Sequence, residues 1–304
     1  MRGLQFIPDE TNINFIGQRY IAFAFSLLLL FGSIFFMAKD GLNFGIDFTG
    51  GTLVEIKTPQ TADLAAMREA LNGLDLGAVS IQEFGETDDL LIRMPQQEGG
   101  AEAQTAAIEK LHGAIDAQFE EPVDYRRTEF VGPQVGEELK KQGLMAIIFS
   151  ILGIMAYVWF RFEWQFGVSA LIGLAHDALV TVGLFAMTQM EFSLSTVAAI
   201  LMIAGYSIND TVVVFDRIRE NLRKYKKMPL TDLLNLTVNQ TLSRTIMTSF
   251  TTVLALIALY VFGGAVIQDF VIALIFGILI GTFSSIFVAA PLLMFFNVRR
   301  GEAE

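Results

Sequence analysis

The sequence predicts an α-helical membrane protein with six transmembrane helices and one α+β domain of ferredoxin-like topology outside the membrane. Three observations lead to this fold class. First, 53% of the 304 residues are hydrophobic, a share too large and too segmented for a soluble domain. Second, six stretches hold roughly the 20 apolar residues that a spanning helix needs. Third, a long hydrophilic segment separates the first of these stretches from the second.

The predicted transmembrane helices follow the apolar stretches, which cover residues 20–38, 142–160, 164–190, 192–215, 245–268 and 270–298. Within these limits only Asp177 and Asp210 carry a formal charge. The first stretch follows a predicted cytoplasmic segment, residues 1–19, and no small-residue cleavage pattern comes after it. We therefore expect it to be kept as a signal anchor.

The distribution of charge predicts the orientation in the membrane. Six of the 21 Lys and Arg residues fall between Arg217 and Lys227, and short loops rich in these residues stay in the cytoplasm. Helices 2 to 6 then occupy residues 139–298 with a cytoplasmic loop at 216–244, and both termini, including the tail 299–304, lie inside. The segment 39–138 lies outside, in a periplasm or the extracellular space. It carries 20 acidic and 7 basic residues, which argues against nucleic acid as a partner.

The exterior segment alternates between strand-like and helix-like patterns. "TLVEIKT", "AVSIQEF", "LLIRMP" and "VDYRRTEFV" have the composition of strands, and amphipathic runs begin near Thr61 and Ala101. The resulting order, βαββαβ, is that of a ferredoxin-like split unit.

Glycines cluster where the first helix gives way to this domain, in "FGIDFTGG". Because glycine permits backbone angles that other residues resist, Gly45, Asp47, Gly50 and Gly51 are predicted to form a hinge or a tight seat for the domain. An ordinary turn explains the same residues equally well.

Sequence motifs for catalysis are missing. There is no G-x-x-x-x-G-K-[ST] motif for a nucleotide, no H-E-x-x-H motif for zinc, and no G-x-S-x-G nucleophile elbow. We therefore expect a protein that is not an enzyme and that needs no cofactor and no metal.

The fourth apolar stretch contains the strongest candidate site. Asp210 lies within it, roughly 10 Å from the basic cluster at a rise of 1.5 Å per residue, with Asn209 beside it. Arg244, at the start of the fifth stretch, is the predicted counter-charge. Burial and a nearby Arg act in opposite directions on the proton affinity of a carboxyl group, so the three residues form a candidate proton relay. Alternatively, Arg244 snorkels to the interface.

Two further positions have a weaker signal. His176 and Asp177 fall at the middle of the third stretch, where an Asp costs about 2.5 to 3.5 kcal/mol on insertion scales. They form either a functional pair or a structural contact between helices. Small residues recur every fourth position along the sixth stretch, which predicts a face for close helix packing: Gly277, Gly281, Ser285 and Ala289.

Several short motifs, in this order, resemble the SecD/SecF family of bacterial protein-export membrane proteins over nearly the whole chain. They are "FGIDFTGG", "EFVGPQVG", "FRFEW", "AHD", "GYSINDTVVVFDRIREN", "QTLSRT" and "FGG". The resemblance implies six helices of the resistance-nodulation-division type in the inner membrane. In the family, the Asp of the "NDT" segment and the Arg of the "SRT" segment belong to the proton-conducting site, and they match Asp210 and Arg244.

The resemblance also implies partners. A protein of this family forms a complex with SecD and works in the lipid bilayer beside the SecYEG channel, with YajC and YidC as further candidate partners. The complex pulls an unfolded preprotein outward and uses protons that return across the membrane.

Two rival functions stay open at this point. A proton-coupled exporter of small molecules or lipids would need a substrate cavity and a second repeat, and neither is visible in the sequence. An assembly scaffold without an energy source would use its polar residues only to fix helix contacts.

Overall fold

The computed structural model describes residues 11–84, 86–264, 267–296 and 298. The predicted tail 299–304 and the first ten residues of the predicted N-terminal segment lie outside the described residues. The chain separates into two compact units. We call Phe44–Met145 together with Phe192–Leu194 the α+β domain, and the described residues of the remainder the span bundle.

The secondary-structure elements are numbered along the chain. They are α1 (Arg19–Lys39), α2 (Ile46–Thr49), β1 (Gly51–Lys57), α3 (Leu64–Asn72), β2 (Ser80–Phe84), β3 (Glu86–Met94), α4 (Gly100–Asp116), β4 (Asp124–Val131), α5 (Pro133–Arg161), α6 (Trp164–Thr188), α7 (Leu194–Lys224), α8 (Leu230–Phe262) and α9 (Gln268–Ser284). A π-helical segment, Ser285–Ala289, continues α9, and two short helical turns, Ala290–Leu292 and Leu293–Phe295, follow it.

Six helices of the described chain are long and apolar enough to cross a membrane, which confirms the predicted number. The ends of these helices differ from the limits of the apolar stretches, because a helix can continue into the polar residues that flank an apolar stretch. The predicted loop 216–244 is helical except at residues 225–229, since α7 continues to Lys224 and α8 begins at Leu230. The charged residues of this region therefore lie on the ends of long helices.

The core of the span bundle contains side chains from α5, α6, α7, α8 and the end of the sixth span. Phe166 of α6 and Phe215 of α7 are fully buried, and their rings meet edge to face at 5.2 Å between centroids. Aromatic pairs of this kind add about 0.5 to 1.5 kcal/mol to the free energy of burial. This contact holds α6 beside α7.

Glycines allow two helix pairs of the bundle, α6 with α1 and α9 with α7, to approach closely. A Cβ atom on Gly183 of α6 would overlap Ser33 of α1, and one on Gly277 of α9 would overlap Ile203 of α7. A Cβ atom on Gly281 would lie 3.1 Å from Cβ of Ser207. The predicted small-residue face of the sixth span is therefore confirmed at Gly277 and Gly281, where it packs on α7.

The α+β domain has the predicted βαββαβ order with the short helix α2 added before β1. Its four strands form an antiparallel sheet in the order β2-β3-β1-β4, with β1 paired to both β3 and β4. Because β1 and β3 are central, their apolar residues line the domain core. Val54, Ile56, Leu90 and Ile92 are 0% exposed.

The helices α3 and α4 cover this apolar face of the sheet. Met67 and Leu71 of α3 and Leu111 and Ile115 of α4 pack into the same core. Asp63 caps α3, because its Oδ1 accepts hydrogen bonds from the backbone N–H groups of Ala65 (2.9 Å) and Ala66 (3.1 Å).

Replacement of Gly51 by alanine tests the strained start of β1. Gly51 has φ +111°, and an added Cβ would lie 2.5 Å from the carbonyl oxygen of Met94. We expect Gly51→Ala to destabilise the domain by about 1 to 3 kcal/mol, because both the backbone angle and the contact become unfavourable. Hydrogen exchange of the β1 and β3 amides in the purified chain measures this loss as faster exchange.

The matched control is Gly113→Ala, in α4, where an added Cβ would meet nothing within 4 Å. It is expected to stabilise the domain by about 0.5 to 1 kcal/mol, because alanine favours the helix over glycine. Unchanged exchange in Gly51→Ala would contradict the assignment of strain to this position.

Candidate functional site

Asp210 lies inside the span bundle and is only 7% exposed. Two hydroxyl groups from other helical segments donate hydrogen bonds to its carboxylate: Thr245 Oγ1 of α8 to Oδ1 at 2.7 Å, and Ser285 Oγ of the π-helical segment to Oδ2 at 2.6 Å. Hydrogen bonds of this kind stabilise the ionised form of a carboxyl group where water is excluded. Asp210 is therefore the point at which three spans meet through polar contacts.

The local structure explains why these groups converge. Ser285 begins the π-helical segment, and a π turn inside an α-helix shifts the faces of the residues around it. Ser284 and Ser285 are consecutive, yet both side chains are buried, with 1% and 0% exposed. They reach two different carboxylates, as described below.

The structure places Arg244 and Asn209 differently from the predicted relay. The side chain of Arg244 is exposed, and no carboxylate of the described residues lies within 4.0 Å of its guanidinium group. Arg244 nevertheless directly precedes Thr245, whose hydroxyl bonds Asp210. Asn209 is exposed although its neighbour Asp210 is buried, because adjacent helical residues point about 100° apart. The groups that hydrogen-bond the Asp210 carboxylate in the described chain are thus hydroxyls, and the role of Arg244 as its counter-charge stays a prediction.

The second predicted pair, His176 and Asp177, forms a buried cluster of its own. The two residues are 3% and 0% exposed. His176 Nδ1 lies 2.9 Å from Asp177 Oδ1, while Asp177 Oδ2 accepts hydrogen bonds from Ser207 Oγ of α7 at 2.6 Å and Ser284 Oγ of α9 at 2.7 Å. Adjacent helical residues point about 100° apart and do not face the same neighbouring helix. His176 and Asp177 instead bond to each other.

The sequence predicts Ser207 as part of a polar patch beside Asp210, but it does not indicate Ser284 or Ser285 as site residues. Ser207 lies three residues before Asp210 in α7, and such a spacing puts both side chains on one helix face. Ser285 was assigned from the sequence to a packing face only. Serine is common in spanning helices, so its presence alone does not indicate a site. The available signals are the spacing of Ser207 from Asp210 and the position of Ser284 and Ser285 just after Gly281.

The predicted hinge residues form a tight seat within the α+β domain. Gly50 and Gly51 have φ of +71° and +111°, whereas Gly45 is extended with φ −68°. A Cβ atom on Gly136 would lie 3.2 Å from the backbone nitrogen of Gly50, so the start of α5 also packs closely on this turn. Left-handed backbone is therefore required at two of the three predicted glycines.

Asp47 has a more specific position than a hinge residue. Its Oδ2 accepts a hydrogen bond from the backbone N–H of Leu194, the first residue of α7, at 2.9 Å. Gly45 donates its backbone N–H to the carbonyl of Phe192 at 3.0 Å. The segment 192–194, which leads into the helix that carries Asp210, is thus held by the "FGIDFTGG" turn.

Comparisons with known proteins agree with these features. The model of the C-terminal region of the protein export membrane protein SecD/SecF matches residues 112–299, and the model of the SecD/SecF GG motif matches residues 35–62. The chain belongs to the SecD/SecF family. The first match includes Asp177 and Asp210, and the second includes Gly50 and Gly51.

Individual relatives match nearly the whole chain. Protein translocase subunit SecF of Rickettsia rickettsii is 45% identical over 297 residues, which are 98% of this chain and 96% of that protein. The subunit of the same name from Cereibacter sphaeroides is 45% identical over 304 residues, with 98% and 94% covered. Together with the six apolar helices, these matches identify a multi-pass inner-membrane protein.

Solved structures confirm the fold class. The crystal structure of SecDF, a translocon-associated membrane protein from Thermus thermophilus, is 35% identical with a TM-score of 0.86. A second structure, SecDF in a super-membrane-facing form, gives a TM-score of 0.70 at 34% identity. The matches cover 97% and 96% of this chain, but the chain spans only 40% of the length of each SecDF chain.

Replacement of Asp47 tests the contact with the start of α7. Asp47→Ala removes a carboxylate from a helix N-terminus, where it satisfies a backbone N–H and interacts favourably with the helix dipole. We expect a loss of about 1 kcal/mol that is measured as faster hydrogen exchange at the Leu194 amide and in the first turn of α7.

Asp63→Ala is the matched control, because it removes a comparable cap from α3 within the same domain. It is expected to speed exchange at Ala65 and Ala66 and to leave Leu194 unchanged. Equal exchange at Leu194 in wild type and Asp47→Ala would show that the carboxylate does not hold this segment.

Proposed function

We propose that this chain is the SecF-type subunit of a SecD-containing complex that uses the proton motive force to assist Sec-dependent preprotein translocation across the inner membrane. Family membership supports the translocase part of this proposal. The observation that carries the energetic part is the buried Asp210 carboxylate, whose hydroxyl partners can serve both of its protonation states. The chain itself performs no bond chemistry in this proposal and is not an enzyme.

The partners of Asp210 explain how it can bind and release a proton. Ser285 Oγ lies 2.6 Å from the Asp210 carboxylate and 3.0 Å from the backbone carbonyl of Thr282. When Asp210 is ionised, the serine donates to it. When Asp210 is protonated, the serine can donate to the carbonyl and accept a hydrogen bond from the O–H of Asp210 instead. In both states, Ser285 and the carboxyl oxygen that it faces therefore have hydrogen-bond partners. A buried polar group without a partner would cost about 1 to 3 kcal/mol.

Protonation must favour a different helix arrangement to do work, because a ligand shifts an equilibrium only through unequal affinity for its two states. The ionised carboxylate attracts Arg244 and draws hydrogen bonds from α8 and the π-helical segment. A neutral Asp210 loses the attraction and weakens these bonds, so α7 is released from its neighbours. One proton supplies roughly 2.3 kcal/mol per 100 mV and about 1.4 kcal/mol per pH unit.

The segment 192–194 provides the proposed link between this event and the α+β domain. It precedes α7 directly and is held by Gly45 and Asp47. A shift of α7 along or around its axis therefore acts on the "FGIDFTGG" turn. We propose that the domain, which the distribution of Lys and Arg predicts to lie outside, moves in response while it holds an unfolded preprotein segment.

The exposed polar residues of the bundle support a partner of similar architecture. Asn209 and Arg244 lie on spanning helices and are exposed in this chain alone. Lipid tails cannot satisfy an amide or a guanidinium group, whereas a second set of helices can. The chain corresponds to only 40% of the SecDF chain. We propose that a SecD-type subunit covers this side of α7 and α8 and that the complex works at the SecYEG channel, with YajC and YidC as further candidate partners.

The rival exporter of small molecules or lipids has weaker support, because the relatives matched over nearly the full length are named as translocase subunits. The scaffold without an energy source is distinguished by experiment, since it needs hydrogen bonds at Asp210 but no proton exchange.

Export of a secretory preprotein into inverted vesicles that contain the chain, a SecD partner and the channel tests the proposal. We expect an imposed proton gradient to stimulate the wild type, and we expect Asp210→Asn to export only at the rate found without a gradient. Asparagine keeps the size of the side chain, and its NH2 group can donate to a neighbouring hydroxyl as a protonated Asp210 would, but it cannot exchange a proton at neutral pH.

Asp216→Asn serves as the control, because Asp216 lies on the same helix but is only partly buried and is paired with Arg161. It should keep the full stimulation. If Asp210→Asn assembles normally and responds to the gradient like the wild type, Asp210 is a packing residue and the scaffold function is favoured.

Arg244→Lys tests the role of the cation separately. Lysine keeps the charge but not the planar fork of donors. We expect assembly with the SecD partner to persist and the stimulation by the gradient to fall severalfold, as measured in the same vesicles. Stimulation equal to that of the wild type would mean that Arg244 acts as a point charge or not at all.

A further inference from the structure

The Asp177 cluster repeats the hydrogen-bond arrangement found at Asp210. In each cluster one carboxylate accepts hydrogen bonds from hydroxyl groups on other spans. Asp177 uses Ser207 and Ser284, and Asp210 uses Thr245 and Ser285. The two clusters share α7 and the end of the sixth span, where Ser284 and Ser285 are consecutive residues.

The serine at Asp177 has the same choice of acceptors as the one at Asp210. Ser284 Oγ lies 2.7 Å from the carboxylate of Asp177 and 3.1 Å from the backbone carbonyl of Gly281. It can therefore donate to an ionised Asp177, or turn to the carbonyl and accept a hydrogen bond from the O–H of a neutral Asp177. Serine and threonine side chains in helices commonly bond a carbonyl three or four residues earlier, so this second acceptor is available to Ser284 without a change of the backbone.

His176 adds an unused position for a proton. Its Nδ1 faces Asp177, and its Nε2 is buried without a hydrogen-bond partner among the described residues. Ser169, two turns earlier on α6, is 0% exposed, and its Oγ likewise has no partner in the described part of the chain. Unsatisfied buried polar atoms are rare and costly, which argues against a purely structural role for this face of α6.

Few other charges reach this region. Within the predicted spans of α1, α5 and α9 there is no Asp, Glu, Lys, Arg or His. On α7 the titratable groups inside the span are Tyr206, whose hydroxyl faces Ser249, and Asp210, and on α8 the cation is Arg244. Asp210 and Arg244 are thus the nearest candidates for electrostatic coupling to the His176–Asp177 pair.

We propose that His176 and Asp177 form a second proton-binding site in the span bundle, coupled to Asp210 through α7 and the Ser284–Ser285 step. The inference rests on the proposed use of protons by this chain and extends it from one site to two. Ser207, a partner of Asp177, shares one face of α7 with Asp210, so a movement of α7 at Asp210 also moves Ser207. In the other direction, a movement of Ser284 at Asp177 also moves the next residue, Ser285, which is a partner of Asp210.

Counting the protons taken up by the reconstituted complex tests this inference directly. The complex of this chain with its SecD partner is brought from pH 9 to pH 5.5 and the bound protons are measured with a pH indicator. Exposed carboxyl groups, with ordinary pKa values near 4, stay largely ionised in this range. We expect Asp177→Asn to take up about one proton fewer per complex than the wild type. Its export should also lose most of the stimulation by a proton gradient.

Three variants make the result specific. Thr181→Val removes another buried hydroxyl of α6, one that bonds the carbonyl of Asp177, and it should leave the proton count unchanged. His176→Gln and Ser284→Ala should shift the pH at which the second proton binds, which a structural contact would not do. These two variants also keep the test available if Asp177→Asn fails to assemble.

The inference is overturned if Asp177→Asn binds as many protons as the wild type, or if it keeps the full stimulation by the gradient. Asp177 would then be a permanently ionised residue that holds α6, α7 and α9 together. Asp210→Asn, measured in parallel, reports on the proposed function itself. A normal proton count in that variant would refute proton use at Asp210, whatever Asp177 does.

Discussion

A carboxylate inside an apolar helix bundle must find its hydrogen bonds within the protein, and the arrangement of the spans follows from this requirement. Asp177 and Asp210 are both buried, and each takes hydroxyl donors from other helical segments. Short hydroxyl side chains reach a carboxylate only when helix axes are close. Gly277 and Gly281 supply this closeness between α9 and α7, since a Cβ atom at either position would press on α7.

Glycines also permit close packing in the α+β domain. Gly50 and Gly51 adopt left-handed backbone angles, and the turn that contains them brings Asp47 to the first residue of α7. The helix α7 therefore begins at the residue that Asp47 bonds, and it carries both Asp210 and Ser207, which is a hydrogen-bond partner of Asp177. This continuity makes α7 the natural element for transmitting a change of protonation.

The sequence was sufficient for the features that depend on local pattern. Apolar length predicted the six spans, alternation predicted the βαββαβ order, and the cost of burial singled out Asp177 and Asp210. It was not sufficient for features that depend on which helix faces touch. The predicted partner Arg244 is exposed, and the hydrogen bonds to Asp210 come from hydroxyl groups. Ser284 and Ser285 reach separate carboxylates at a π-helical segment, and periodicity along an α-helix does not predict such a break.

Proton flux through the complex most directly tests the proposal that Asp210 carries protons across the bundle. Liposomes containing this chain and its SecD partner would enclose a pH-sensitive dye, and acidification would be recorded under an imposed gradient with a preprotein segment present. We expect a proton flux in the wild type that falls to the rate of empty liposomes in Asp210→Asn. An equal flux in both would contradict the claim that Asp210 carries protons across the bundle.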